Sequence, residues 1–234
     1  MHVGRIPIPI VALISWISSF LPVVVGWKRW KSLGGETRIL LALLTFYVFF
    51  LVVELATTFM AIRNLWLADT YTLLEFVVLA VIYYRWFTND TPRKAVKYSI
   101  GAVVILWMIG KVSFEPLGGN SNYLCPLETV LLIVMALSTV LVLVNDNVEM
   151  LFRRPQFWVS IGLITCGAGT LPLFALSTKL LSLPLQEYQK IWNINWILQS
   201  VCNLTYTVAF LCRDYSKGRI EYGLVSAADI HGHP

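Results

Sequence analysis

The sequence predicts an all-α, polytopic membrane protein: a seven-transmembrane-helix bundle with its N-terminus outside and its C-terminus cytoplasmic. Three observations carry this. Hydrophobic residues make up 57% of the chain and charged residues 13%, against about 25% charged in a soluble domain. Apolar runs of roughly 18 residues or more recur along the whole length. Of the 18 Lys and Arg residues, 13 fall on alternate connections and the C-terminal tail, as the positive-inside rule requires of one face of a membrane. No stretch is long enough for a separate water-soluble domain. Residues 1–212 therefore read as one seven-helix transmembrane domain, and residues 213–234 as a short, poorly ordered cytoplasmic tail.

The first span, residues 6–27, has too long an apolar core and too weakly basic a flank for a signal peptide, and no Ala-x-Ala pattern follows it. Pro7 and Pro9 suit a helix start, and Pro22 predicts a kink. The next connection is basic, with Lys28, Arg29, Lys31 and Arg38, and is broken by Gly34-Gly35. The second and third spans, residues 39–62 and 68–87, carry Glu54 and Glu75. Arg85, Arg93, Lys94 and Lys97 make a second basic connection, and Pro92 opens the fourth span, residues 95–112. Residues 113–122, with Pro116, Gly118 and Gly119, read as a turn region. The fifth span, residues 123–144, carries Glu128, and a short charged connection leads to the sixth, residues 156–178. There Gly162, Cys166 and Gly169 form a stripe of small residues that lets a neighbouring helix approach closely, and Pro172 predicts a bend.

The seventh span, residues 192–212, is the most informative. Asn195, Gln199, Asn203 and Tyr206 recur at steps of four, four and three, which places them on one narrow stripe of a helix. Lipid offers such groups no partner, so the stripe should face protein or trapped water.

Orientation makes depths comparable. Counted from the predicted helix ends, Glu54, Glu75, Glu128 and Asn195 all lie ~8–11 Å below the outer surface. Three carboxyl groups and an amide at one level predict a shared polar cavity opening outward, built from Glu54, Glu75, Glu128, Asn195, Gln199, Asn203 and Tyr206. A lone ionised carboxylate at such depth costs several kcal/mol. Each is therefore expected to be paired or neutral. Lys111 and Lys179 stand only at the rim. Close acids without a built-in cation could share a proton, bind a metal ion, or receive a cationic or hydroxyl-bearing ligand. Alternatively, each Glu is a protonated hydrogen-bond donor holding helices together, worth ~0.6–2 kcal/mol.

The remaining chemistry-bearing residues narrow the field. Cys125, Cys166, Cys202 and Cys212 show no CxxC spacing and read as packed structural thiols. His2, His231 and His233 lie at the termini, so no intramembrane zinc site or histidine base is expected, nor any cofactor. The span set also lacks a lysine inside the seventh helix for a retinal Schiff base. The net charge of +5 follows from the loop asymmetry and implies no nucleic-acid partner.

Pro155-Gln156-Phe157-Trp158 leading into Ile161-Gly162 and Gly169, then Trp196-Ile197-Leu198 and Asn203-Leu204-Thr205-Tyr206 before Phe210-Leu211-Cys212, resembles an uncharacterised seven-helix integral membrane protein family of Bacteroidota. Tyr71-Thr72-Leu73-Leu74-Glu75-Phe76 and Leu127-Glu128-Thr129 resemble that family's third- and fifth-helix patterns. The resemblance covers most of the chain. It implies the fold and the two glutamates and a bacterial cytoplasmic (inner) membrane, and it brings no activity.

Three functions fit these residues. The first is a ligand-binding sensor or receptor-like protein with a small-molecule or lipid ligand and a cytoplasmic signalling partner. The second is a carboxylate-dependent intramembrane lipid hydrolase resembling the lysoplasmalogenase group, with Glu54, Glu75 and Glu128 as general acid and base. The third is a small transporter, which lacks support from any internal repeat between the first and last three spans.

Overall fold

A computed structural model describes residues 9–60, 62, 64–113, 115, 123–146, 148–180 and 182–212. Among them there is no strand, and the chain is a multi-pass helical membrane protein. The turn region at 116–122 and the tail at 213–234 lie outside the described residues.

The first span is two helices, α1 (Ile10–Ser18) and α2 (Phe20–Lys28), that together form a 19-residue apolar segment. The break comes three residues before the predicted kink site, and its cause is local. Pro22 has no N–H, and its ring crowds the carbonyl one turn back, at Ser18. The Ser19 N–H is shared between the Ser15 and Trp16 carbonyls, and the Ser18 and Ser19 hydroxyls bond back to the same turn at 2.7 Å each.

α3 (Gly35–Phe59) starts at the predicted breaker, with Glu36 in its first turn facing the positive end of the helix dipole. α4 (Leu65–Trp86) follows after a tight connection. Asn64 fastens that connection: its side-chain amide donates to the Glu54 carbonyl, Thr57 Oγ1 and Thr58 Oγ1, each at 3.0 Å. α5 (Asp90–Ser113) and α6 (Leu124–Asp146) come next. α7 (Pro155–Ala175) takes Pro155 in its first turn, where the missing N–H costs nothing. It ends one turn after Pro172, and the predicted continuation to 178 is the separate short helix α8 (Ser177–Leu180).

The last helix, α9 (Leu185–Leu211), is 27 residues long and starts seven residues before the predicted seventh span. Among the described residues, six segments are long and apolar enough to cross a membrane: α1–α2 together, α3, α4, α5, α6 and α7. The amides of α9 lower its mean hydropathy and keep it out of that set, although at 27 residues it is the longest helix among the described residues.

The helices close into a ring. α9 packs along α7 on one side and α1–α2 on the other; α3 bridges α2 and α4; α6 bridges α4 and α7; α5 lies outside against α4 and α6. The most completely buried apolar side chains form a cluster contributed by the C-terminal half of α4 together with α3, α7 and α9. Phe76, Ala80, Ile82, Tyr83, Leu40, Leu41, Val159 and Phe210 are all fully buried there. Tyr83 and Ser160 share a buried hydrogen bond of 3.2 Å.

The predicted small-residue stripe does what its spacing implies. A methyl group on Gly162 would overlap Thr205 Oγ1, and one on Gly169 would overlap a Leu198 methyl. Both contacts join α7 to α9. Apolar side chains of α5, including Ile105, Met108, Ile109 and Val112, are exposed, as lipid-facing residues are.

Candidate functional site

The buried charged residues among those described, Asp69, Lys111, Glu115 and Glu128, collect towards the end where α3 finishes and α4 begins. α4 brings three groups there. Asp69, near its start, is buried, and its carboxylate lies 2.9 Å from the Lys111 ammonium at the end of α5. Lys111 is also buried, and its ammonium lies 5.8 Å from the centre of the Trp107 ring. Sequence reading placed Lys111 at the rim with no cation deeper. The structure puts it inside the protein, paired with an aspartate that the reading passed over. A signal for Asp69 was present: a charged residue opening one span beside a lysine closing the next.

Tyr71 and Glu75 are one turn apart on another face of α4. The Tyr71 ring packs against Phe50 at 5.1 Å and Tyr47 at 5.3 Å between centres, with Phe46 at 6.5 Å. Stacked and tilted rings at these separations attract one another beyond simple burial. Glu75 lies within electrostatic range of both tyrosines, of Cys125 and of Tyr206.

Glu128 comes from the second turn of α6 and is 4% exposed. Its Oε1 has no hydrogen-bond partner among the described residues. Glu75, Lys111, Asp69 and Glu115 all lie within electrostatic range of its carboxyl group. Glu115, also buried, has a different task. Its carboxylate accepts the Tyr123 N–H at 2.7 Å and the Leu124 N–H at 3.4 Å, satisfying free donors at the start of α6 and the positive end of its dipole.

The seven predicted residues divide accordingly. Glu75 and Glu128 stand on helices that pack against each other, within electrostatic range of one another, and Tyr206 is within electrostatic range of Glu75. Glu54 is half-buried near the end of α3, within electrostatic range of Tyr47. Asn195, Gln199 and Asn203 do lie in the protein interior or at its margin, but they address different neighbours. Gln199 accepts a weak hydrogen bond from the Cys166 thiol of α7 at 3.7 Å. Asn203 is 1% exposed and donates to Ser18 Oγ of α1 at 2.9 Å, while its Oδ1 has no partner among the described residues. Gln199 and Asn203 thus tie α9 to the helices on either side of it, while Asn195 is half-buried.

Depth also changes. Glu54 and Glu128 lie five and four residues from their helix ends, whereas Glu75 and Asn195 are each ten residues in. The reason is that α4 begins three residues and α9 seven residues before the predicted spans, α9 with a polar stretch, so the hydropathy boundary is not the helix boundary.

Among the described residues, no three His, Cys, Asp or Glu side chains converge as a metal cage would need. Compared with protein-family models, curated proteins and solved structures, the chain matches none.

Proposed function

We propose that this chain is a seven-span, receptor-like protein of a bacterial cytoplasmic membrane. Its N-terminus is outside, and it binds a small molecule or lipid at the Glu75–Glu128 site and passes the change to a cytoplasmic signalling partner. The observation that carries this is the buried Glu128 carboxyl group with an unpartnered oxygen, in range of a second acid. A buried acceptor left without a partner costs about 1–3 kcal/mol, and a ligand that supplies a donor would remove that cost.

The seventh span is α9. At 27 residues it extends about 40 Å, longer than the ~30 Å hydrocarbon layer. Its amides are sheltered against α7 and α1 rather than exposed to lipid, which is how polar residues are tolerated at depth. The basic connections before α3 and before α5 support the orientation. In that orientation the Glu75–Glu128 site opens towards the outer face. The break at Ser19 and Pro172 in α7 give two of the helices flanking α9 places to bend. The resemblance to the Bacteroidota family belongs to this reading and adds no chemistry.

The test is thermal unfolding of the purified chain in lipid nanodiscs against a library of small molecules and lipids. A ligand that raises the midpoint in the wild type and fails in both Glu75→Gln and Glu128→Gln supports the receptor reading. Release of a fatty chain or headgroup from a bound lipid, lost in the same variants, would replace it with the carboxylate-dependent hydrolase. Solute flux in liposomes would replace it with the transporter.

A further inference from the structure

Resting on that reading of the site, we infer that the ligand is an organic cation, with an ammonium group held between Glu75 and Glu128 beside the Tyr47 and Tyr71 rings. The argument begins with charge. The one ammonium among the described residues of the cluster, that of Lys111, sits 2.9 Å from Asp69. Glu115 is satisfied by the start of α6. Neither Glu75 nor Glu128 takes part in an ion pair among the described residues. The site thus holds acids in excess of fixed cations, and one of those acids has a buried oxygen with no donor against it.

A cation of some kind completes such a site, and the surroundings select which kind. The wall next to Glu75 is aromatic: Tyr71 stands one turn before it on the same face of α4, packed on Tyr47 and Phe50. Aromatic faces attract ammonium groups, and most strongly when water is excluded. A hard metal ion instead wants several oxygen ligands at short range, and no such convergence of three acidic or thiol groups occurs among the described residues. A neutral hydroxyl-bearing ligand would satisfy the Glu128 oxygen only while both acids stay protonated, whereas an ammonium group also offsets the charge of an ionised one. An ammonium carried on an apolar or aromatic body satisfies all three demands: it donates hydrogen bonds, supplies positive charge and packs on rings.

The experiment uses the full chain in nanodiscs with benzylamine, phenyltrimethylammonium and benzyl alcohol as probes, read by unfolding midpoint. Benzylamine should raise the midpoint saturably, phenyltrimethylammonium, which has the charge and the ring but no N–H to donate, should raise it less, and benzyl alcohol should not. The shift should vanish in Glu75→Gln and in Glu128→Gln and persist in Glu36→Gln, which lies in the first turn of α3. Tyr71→Phe should keep the affinity, and Tyr71→Leu should weaken it about tenfold. Should Glu128→Gln fail to fold, Glu75→Gln and Tyr71→Leu carry the same comparison.

Equal shifts by benzyl alcohol and benzylamine, both lost in Glu75→Gln, would overturn the charge assignment and leave the binding site standing. Ammonium shifts that survive both Glu-to-Gln changes would place the cation elsewhere and overturn it too. No shift with either ammonium probe, under conditions where a neutral or anionic compound does bind, overturns the inference alone. Failure of every compound removes the receptor reading with it.

Discussion

The Lys111 ammonium lies 2.9 Å from the Asp69 carboxylate, with both side chains buried where the end of α5 meets the start of α4. An ion pair removed from water is held by its partner: breaking it leaves a charge with nothing to offset its lost hydration. Lys111→Met or Asp69→Leu alone should lower stability by about 3 kcal/mol or more. The double variant should recover most of that loss, because no charge is then stranded. A double-mutant cycle on unfolding in detergent micelles measures it. Additive losses would mean that the two groups do not depend on each other.

Glu115 predicts a smaller and more local effect. Glu115→Ala removes the acceptor for two backbone donors at the start of α6 and should cost about 1–2 kcal/mol. Glu115→Gln keeps an acceptor and should cost less. Amide exchange at Tyr123 and Leu124 should speed up in the alanine variant, while exchange in the middle of α6 stays slow.

The α7–α9 contact depends on the absence of side chains. Gly162→Ala drives a methyl group into Thr205, and the overpacking should cost about 1–3 kcal/mol. Gly101→Ala on α5 has open space around it and should leave stability equal or raised by up to about 1 kcal/mol. Equal behaviour of the two variants in thermal unfolding would show that α7 and α9 are not packed this closely.

Ser18→Ala strips the acceptor from the Asn203 side-chain amide, which sits 2.9 Å from Ser18 Oγ. Inter-helix hydrogen bonds of this sort contribute about 0.6–1.7 kcal/mol. The loss should fall in that range. Adding Asn203→Leu should make it no worse, since the orphaned amide is gone. A steady further loss in the double variant would assign Asn203 a second partner.

Orientation is open to direct chemistry. In a background with the native cysteines replaced, Ile62→Cys, exposed between α3 and α4, should react with a membrane-impermeant maleimide on intact cells. Ser32→Cys, exposed between α2 and α3, should react only in inverted vesicles. The opposite pattern would turn the bundle over.

Much of the fold was legible because its signals are local. Apolar length marks α1–α2 and α3 to α7, and the Gly162–Gly169 spacing marks the contact face of α7. The start of α9 was placed late because Leu185–Ile191 carries Glu187 and Lys190 and still forms helix, as a polar first turn does outside lipid. The site was legible only in part. Glu75 and Glu128 were found because an acid within an apolar run stands out against its background. Asp69 and Glu115 stand at the edges of such runs, where a charge attracts no notice.

By itself the sequence determined that the chain crosses a membrane many times, which faces of α7 and α9 are special, and which acids lie among apolar residues. Only the tertiary structure decided that Lys111 pairs with Asp69, that Tyr71 backs onto Tyr47 and Phe50, and that Gln199 and Asn203 turn to different neighbours. The physical reason is that hydropathy and periodicity describe one helix at a time. Which groups meet depends on how far each helix is turned about its axis and where it starts relative to the next, and that is settled by packing between segments distant in the chain.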